Sequence, residues 1–330
     1  MIDPLERWRA LGLPDKPDYA GLLTYAGMPY TQDVAELAGF DVAIVGAPTD
    51  DLVSDRPGTR FGPRAIRAAS CPPGPHLEAR IDAFAELRVV DFGDAAVVPA
   101  DVEKTHAEIE RTVRQVVSAG LLPIVLGGDH SITEANVRAV AARHGSVGLV
   151  HFDTHTDTGM EVFGVEHSHG TPMYRLVRDG HVDGSRYAQI GLRGYWPGEQ
   201  ELAWQREQEI TSFFMHDVRE LGIGEVIGRT LAIVGDGPVF LTVDVDVLDP
   251  AFAPGTGTPE PGGMSTIDLL RATRELAAGL DLVGMDVVEV IPVAVGSADV
   301  TALVADRIVR EALTGTALRR RDANGMLTGG

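Results

Sequence analysis

Eight short runs of apolar, largely β-branched residues recur along the chain: VAIVGA, LRVVDFG, LPIVLGG, SVGLVHFD, AQIGLR, TSFFMH, PVFLTVDVD and LVGMDVVEV. They are apolar almost continuously rather than at alternate positions, so each strand must be covered on both faces. Longer amphipathic stretches separate most of them, over 101–119, 132–144, 217–235, 265–278 and 298–314. GPRAIRAAS (62–70) adds a short helix with Pro63 in its first turn. This alternation predicts a parallel sheet of about eight strands with helices on both faces, in one α/β domain over 41–316. Residues 1–40 lack a strong period and read as an N-terminal arm. ALRRRDANGMLTGG (317–330) reads as a flexible C-terminal tail. A doubly wound sheet takes its ligand at the carboxyl ends of its strands, so those ends decide what the chain does.

Three strand ends carry one chemistry. LPIVLGGDHS closes on Gly127, Gly128, Asp129 and His130. SVGLVHFDTHTD closes on Asp153, His155 and Asp157, which share one face if the strand stays extended. PVFLTVDVDVLDP brings Asp244 and Asp246, again two apart. A lone aspartate at a strand end is ordinarily a cap or turn former, and Asp129 and Asp249 are read so. Four converging carboxylates differ: they repel one another, and burying them without a cation is costly. Two divalent ions, with a combined charge of +4, would balance the four aspartates. Carboxylates with two imidazoles and no thiolate suit hard ions, Mn²⁺ foremost, with Mg²⁺, Co²⁺, Zn²⁺ and Ni²⁺ compatible. Paired ions about 3.5–4 Å apart are a hydrolytic device, lowering the pKa of bound water to about 7.

Composition removes competing classes. With 28 basic and 48 acidic residues the net charge is −20, which argues against nucleic-acid and anionic-membrane partners. Cys71 is the only cysteine, so an internal disulfide and a cysteine-rich metal site are excluded. GAPTDDL, after the first strand, lacks the glycine fingerprint of a dinucleotide site. The N-terminus has no signal pattern, and no apolar window is long enough to span a membrane, so a cytoplasmic location is expected.

The motifs resemble the ureohydrolase family of arginases, agmatinases and related guanidino-acid hydrolases. RPGTRFGPRAIR, GGDHS, HFDTHTD, SHGTP, VDVDVLDPAFAPGTGTPEPGG and DVVEV carry the resemblance over nearly the whole chain, and the agmatinase branch is nearest in wording. The resemblance implies a three-layer α/β/α fold with a central eight-stranded parallel sheet and a binuclear Mn²⁺ centre. It places His130, Asp153, Asp157 and Asp244 on one ion and Asp153, His155, Asp244 and Asp246 on the other. It further implies that Asp157 handles the proton of the attacking hydroxide, that Glu289 binds the substrate guanidinium and that His169 shuttles protons. His167 is a second candidate for that role or for the pocket wall, and His151 is read as a hydrogen-bonding partner behind the ligands. Tyr195 and Trp196, in LRGYWPGEQE, are candidate aromatic walls for a cationic substrate. Homotrimers or homohexamers are implied as well.

The resemblance predicts hydrolysis of a guanidino group to urea and an amine, with agmatine, giving putrescine, as first substrate. Guanidinobutyrate, guanidinopropionate, guanidine, a biguanide or a guanidino intermediate of secondary metabolism keep the same reaction. A non-catalytic subunit of a mixed oligomer would have lost ligands, and all six stand here. Three departures bear on substrate. GAPTDDLVSDRPG replaces the usual GAPYDGGTSYRPG and makes this loop acidic at Asp50, Asp51 and Asp55. Thr154 replaces an alanine, and VVEVIPVAVGSADVT lacks the aspartate that commonly follows the proline, here Pro292. An acidic loop that reaches the pocket favours a cationic far end on the substrate.

Overall fold

The computed structural model describes residues 1–13, 16–292 and 299–328. The missing aspartate after Pro292 falls in 293–298, outside the described residues. All eight apolar runs are strands: β1 Val42–Gly46, β2 Val89–Asp94, β3 Leu122–Leu126, β4 Val147–Phe152, β5 Val182–Leu192, β6 Thr211–Phe214, β7 Pro238–Asp244 and β8 Asp281–Val288. They form one sheet in the order β2-β1-β3-β8-β7-β4-β5-β6, every pair parallel.

Eleven helices accompany the described strands: α1 Glu6–Ala10, α2 Gly62–Ala69, α3 Ala83–Glu86, α4 Val102–Ser118, α5 Ile132–His144, α6 Pro172–Arg178, α7 Glu199–Glu207, α8 Met215–Leu221, α9 Ile223–Val234, α10 Thr266–Gly279 and α11 Val300–Thr328. Their starts follow local chemistry. Asp101 caps α4 by accepting from Lys104 N, and Ser265 caps α10 by accepting from Asp268 N. The strands' period of two then sorts the core into two layers. Val42 and Ile44 join Ile66 of α2 and the apolar faces of α8 to α11. Ala43 and Val45 join Ile109 and Val113 of α4, Val137 of α5 and Met173 of α6. Helices therefore cover both faces, because a strand apolar on both sides has no face to give to water.

Two expectations change. The stretch over 217–235 is two helices, α8 and α9, parted at Gly222 with φ 78°. The tail read as flexible from 317 is helical through Thr328. Its first residues have partners: Ala317 is fully buried, Arg319 donates to Gly279 O at 3.0 Å, and Arg320 pairs with Asp41 at 2.8 Å. The N-terminal arm is docked as well. Tyr25 is fully buried, and its N–H donates to Asp91 Oδ2 at 2.7 Å. Among the described residues no helix is long and apolar enough to cross a membrane.

The exit of β3 shows how tightly the strand ends are drawn together. A Cβ on Gly128 would lie 2.0 Å from Thr49 O and 2.7 Å from Ala47 O, both rigid backbone atoms. Gly128→Ala should destabilise the protein by about 3 kcal/mol or more, the upper range for overpacking. Thermal or urea unfolding measures this, and a wild-type midpoint would show that the exit relaxes without cost.

Candidate metal centre

Four neighbouring strands at the middle of the sheet, β3, β8, β7 and β4, supply the polar cluster. His130 follows β3, Asp153, His155 and Asp157 follow β4, Asp244 and Asp246 end β7, and Glu289 follows β8. These residues lie 159 positions apart at the extremes, yet strand adjacency alone brings them to one edge. All of their side chains are buried except His155, which is 27% exposed.

The ligand segments are not extended, as the alternation had suggested. β4 stops at Phe152 and β7 at Asp244, and residues 245–247 form a single 3₁₀ turn. One local device turns both chains. Asp153 Oδ1 accepts from His155 N at 2.6 Å, and Asp244 Oδ1 accepts from Asp246 N at 2.8 Å. Each is an aspartate bonding the backbone two residues on. The turn folds the second ligand back over the first. Asp157 then adopts φ 52° and Glu289 φ 63°, left-handed conformations that are uncommon for such residues and cluster at functional sites.

His130 tests whether the cluster suits a cation. Its Nε2 lies 2.9 Å from Thr242 Oγ1. Its Nδ1 is buried and makes no well-directed hydrogen bond, although oxygens of Asp157, Asp153 and Asp244 stand at 2.9, 3.0 and 3.4 Å. One nitrogen cannot serve three carboxylates by hydrogen bonding. A lone pair and three oxygens converging on a point is what a metal ligand set requires. A second group forms beside it: His155 Nδ1 lies 3.1 Å from Asp246 Oδ2 and 3.5 Å from Asp153 Oδ1. Asp153 belongs to both groups: donor atoms of His130, His151, Asp153 and Asp157 fall within 4.8 Å of one another, and so do those of Asp153, His155 and Asp246. The residues fit two divalent ions. His151 buttresses the pair, its Nε2 at 2.8 Å from Asp153 Oδ2 and its Nδ1 at 2.9 Å from Tyr187 OH.

The cluster's proton affinities record the same crowding. Burial pushes Asp244 well up, and Asp246 and Asp153 add to it by repulsion. Burial lifts Asp246 to about 6, with Asp153 again adding. Burial also works against the Asp153 anion, but hydrogen bonds from His130, His151 and His155 outweigh it and hold that carboxyl well below the usual range.

Glu289 sits at the inner wall. Its Oε1 accepts from His130 N at 2.9 Å and meets His169 Nδ1 at 2.9 Å, while its Oε2 is buried without a partner among the described residues. Burial opposes a charge on His169, but Glu289 outweighs it and raises the imidazole to about 9. Ser54, unnoticed in the sequence, covers the far side of that ring: its Oγ and its N lie 2.7 and 3.1 Å from His169 Nε2. The acidic loop therefore reaches the site, but two of its three aspartates are engaged elsewhere. Asp50 binds Arg60 and Gly58 N, and Asp51 binds Arg60 and Ala100 N. Asp129 keeps its turn role, accepting from Ser131 N at 3.0 Å, and also ties down the loop by accepting from Leu52 N at 3.2 Å.

Three candidates do not join the site. His167 turns toward Glu134, 3.7 Å from its Oε2, and meets the ring of His106 edge-on, because Glu134 offers the nearest charge. Trp196 and Tyr195 remain 77% and 91% exposed, on a loop directed to solvent, so neither lines the buried carboxylates.

The sequence pattern of the Arginase family matches residues 40–315. The chain is 40% identical over 283 residues to guanidinobutyrase of Pseudomonas aeruginosa, covering 86% of this chain and 88% of that one. It is also 40% identical, over 263 residues, to the mitochondrial agmatinase of Gallus gallus, covering 77% of this chain and 75% of that one. The solved structure of proclavaminate amidino hydrolase from Streptomyces clavuligerus superposes with a TM-score of 0.86 at 36% identity, over 92% of this chain and all of that one.

Protons and cations compete for this cluster, so cation binding must expel protons. Apparent Mn²⁺ affinity should fall as pH drops through about 6, where Asp246 takes up a proton. Calorimetry in buffers of different ionisation enthalpy reads the protons released. Below pH 6, Asp246→Asn should release fewer protons than the wild type on binding Mn²⁺; equal stoichiometry in both would remove Asp246 from the ligand set.

Proposed function

We propose that this chain, which belongs to the arginase family, hydrolyses agmatine to putrescine and urea at a centre for two divalent ions, Mn²⁺ foremost. The ligands are His130, Asp153, Asp157 and Asp244 for one ion and Asp153, His155, Asp244 and Asp246 for the other. When bound, such a pair supplies a water of lowered pKa as nucleophile at neutral pH. Assembly as a homotrimer or homohexamer in the cytoplasm belongs to the same reading.

The observation that carries the reaction is the unpartnered Oε2 of Glu289. A buried carboxylate oxygen without a donor is costly, and a guanidinium supplies a planar, charged N–H donor to it. Held there, the substrate's central carbon faces the carboxylates that bind the ions. Asp157, whose left-handed backbone turns it toward His130 Nδ1 at 2.9 Å, accepts the proton of the attacking water. It returns that proton to the leaving nitrogen, so urea and an amine depart. The guanidinium also takes over the countercharge on Glu289 that had favoured a protonated His169.

The far end of the substrate meets the loop around Ser54. Identity is equal to a guanidino-acid hydrolase and to an agmatinase, so it does not decide the substrate. Asp55 supports agmatine: its carboxylate is 63% exposed, with Arg56 Nε 3.7 Å away, and it neighbours the residue that touches His169. Arg56 itself, 59% exposed, supports a second reading in which a guanidino acid presents its carboxylate there.

Urea release from a panel of guanidino compounds, with Mn²⁺-loaded and metal-free protein, tests the proposal. Glu289→Gln should lower kcat/KM by roughly 10² or more, as loss of a buried charge partner does. Asp55→Asn should raise KM for agmatine by about threefold, the scale of an exposed ion pair. Turnover of guanidino acids in preference to agmatine would move the substrate to the second reading. No urea from any compound would overturn the enzyme.

A further inference from the structure

His169 has two ring nitrogens in different surroundings. Nδ1 faces inward to Glu289 Oε1 at 2.9 Å, on a carboxylate that is 1% exposed. Nε2 faces outward to Ser54 Oγ at 2.7 Å. Ser54 itself is exposed, whereas the His169 side chain is only 12% exposed. The hydroxyl thus stands between the imidazole and bulk water. We propose that Ser54 is the outer link of the proton path, carrying protons between His169 Nε2 and solvent. This rests on the hydrolytic reading of the site.

The position of Ser54 is held from several sides. Leu52 N donates to Asp129 Oδ2 at 3.2 Å, and His169 N donates to Leu52 O at 3.2 Å. On its other side Gly58 N donates to Asp50 Oδ2 at 2.7 Å. The loop is therefore tied to the same residues that shape the site, and Ser54 does not reach His169 by chance of a mobile side chain.

A hydroxyl suits this place because it both donates and accepts. The Ser54 backbone N–H, 3.1 Å from Nε2, can only donate, so it stabilises the neutral ring with a lone pair at Nε2. The Oγ accommodates either state, donating to the lone pair or accepting from Nε2–H. The proton balance is simple. Guanidinium and water give urea and an alkylammonium ion. The water gives up both of its protons and the leaving nitrogen gains two: Asp157 carries one, and the other passes through His169, with solvent as its reservoir. A proton leaving inward chemistry arrives at Nδ1, and the ring releases its Nε2 proton to Ser54 Oγ as the hydroxyl passes its own to water. The reverse order brings a proton in. Glu289 raises the ring to about 9 when uncompensated, so a positively charged substrate on Glu289 helps the ring to release.

Ser54→Ala keeps the backbone N–H and removes only the hydroxyl. With about 1 mM buffer it should lower kcat by about tenfold, a fraction of a full general acid–base contribution, and change KM less than twofold. Small buffers such as imidazole should restore kcat, and Ser54→Thr should retain it. Metal content and the unfolding midpoint should match wild type. An unchanged kcat at low buffer overturns the proposal, and so does a fall that buffers do not rescue. A second readout does not need turnover: in the substrate-free protein, exchange of the His169 ring N–H with water, seen by NMR, should slow in Ser54→Ala. If no guanidino compound is hydrolysed but exchange slows, the path stands and the reaction assignment fails.

Discussion

Three aspartates with buried side chains, Asp153, Asp157 and Asp244, share the space around one imidazole nitrogen, and the rest of the molecule is arranged to make that tolerable. Isolated carboxylates at such depth would take up protons or drive the chain apart. Here Asp153 is held ionised by three histidines while burial and repulsion lift Asp244 and Asp246. His130 directs Nε2 to Thr242 and leaves Nδ1 to the carboxylates. A pair of divalent cations resolves this charge better than shared protons do, because it satisfies every oxygen at once. The electrostatic problem and the catalytic device are the same arrangement.

Sheet order makes the arrangement possible. Ligands come from strands distant in sequence but adjacent in space, β3, β8, β7 and β4. Behind them, Arg193 gathers loose ends of backbone: it donates to Asp246 O, Val247 O, Leu248 O, Gly191 O and Glu260 O, at 2.6 to 3.2 Å. These carbonyls lie in the turn that presents Asp246, at the end of β5 and in the segment between that turn and α10. A single guanidinium, with its five N–H groups in a plane, replaces a layer of secondary structure. The acceptors are backbone atoms, so the clamp is insensitive to the side chains around it.

Much of this was legible in the sequence because period and polarity are local properties. All eight strands and the helices over 101–119, 132–144 and 265–278 follow from apolar runs and their spacing. Asp153, Asp157, Asp244 and Asp246 stand out as charges beside apolar strands. Their shape did not follow: alternation suggested extended strands, whereas aspartates accepting from the second residue onward bend both segments. That signal, an aspartate just past an apolar run, was present but ambiguous. Ser54, Thr242 and Arg193 were not legible, since each acts chiefly through partners between about 50 and 115 residues away. The tail reads as flexible because it is polar and Gly-rich; the partners of Arg320 and Arg319, Asp41 and Gly279, lie elsewhere in the chain and leave no local signal.

Reaction and substrate are written into different parts of the fold, with different physical consequences. The residues that would carry out the chemistry are buried at the ends of central strands, where a change of charge or volume disturbs several neighbours together. The residues we propose to meet the far end of the substrate, Asp55 and Arg56, are exposed, and among the described residues their side chains face each other at 3.7 Å. A pair such as this gains little energy from its own contact in water, so exchanging one member costs the fold little. Equal identity to a guanidinobutyrase and an agmatinase accords with the proposed division, in which a few exposed side chains choose the guanidine. Ser54 stands at the join, exposed on this loop but bonded to His169, and in the proposed path it ties the rate of the buried chemistry to the loop proposed to meet the substrate.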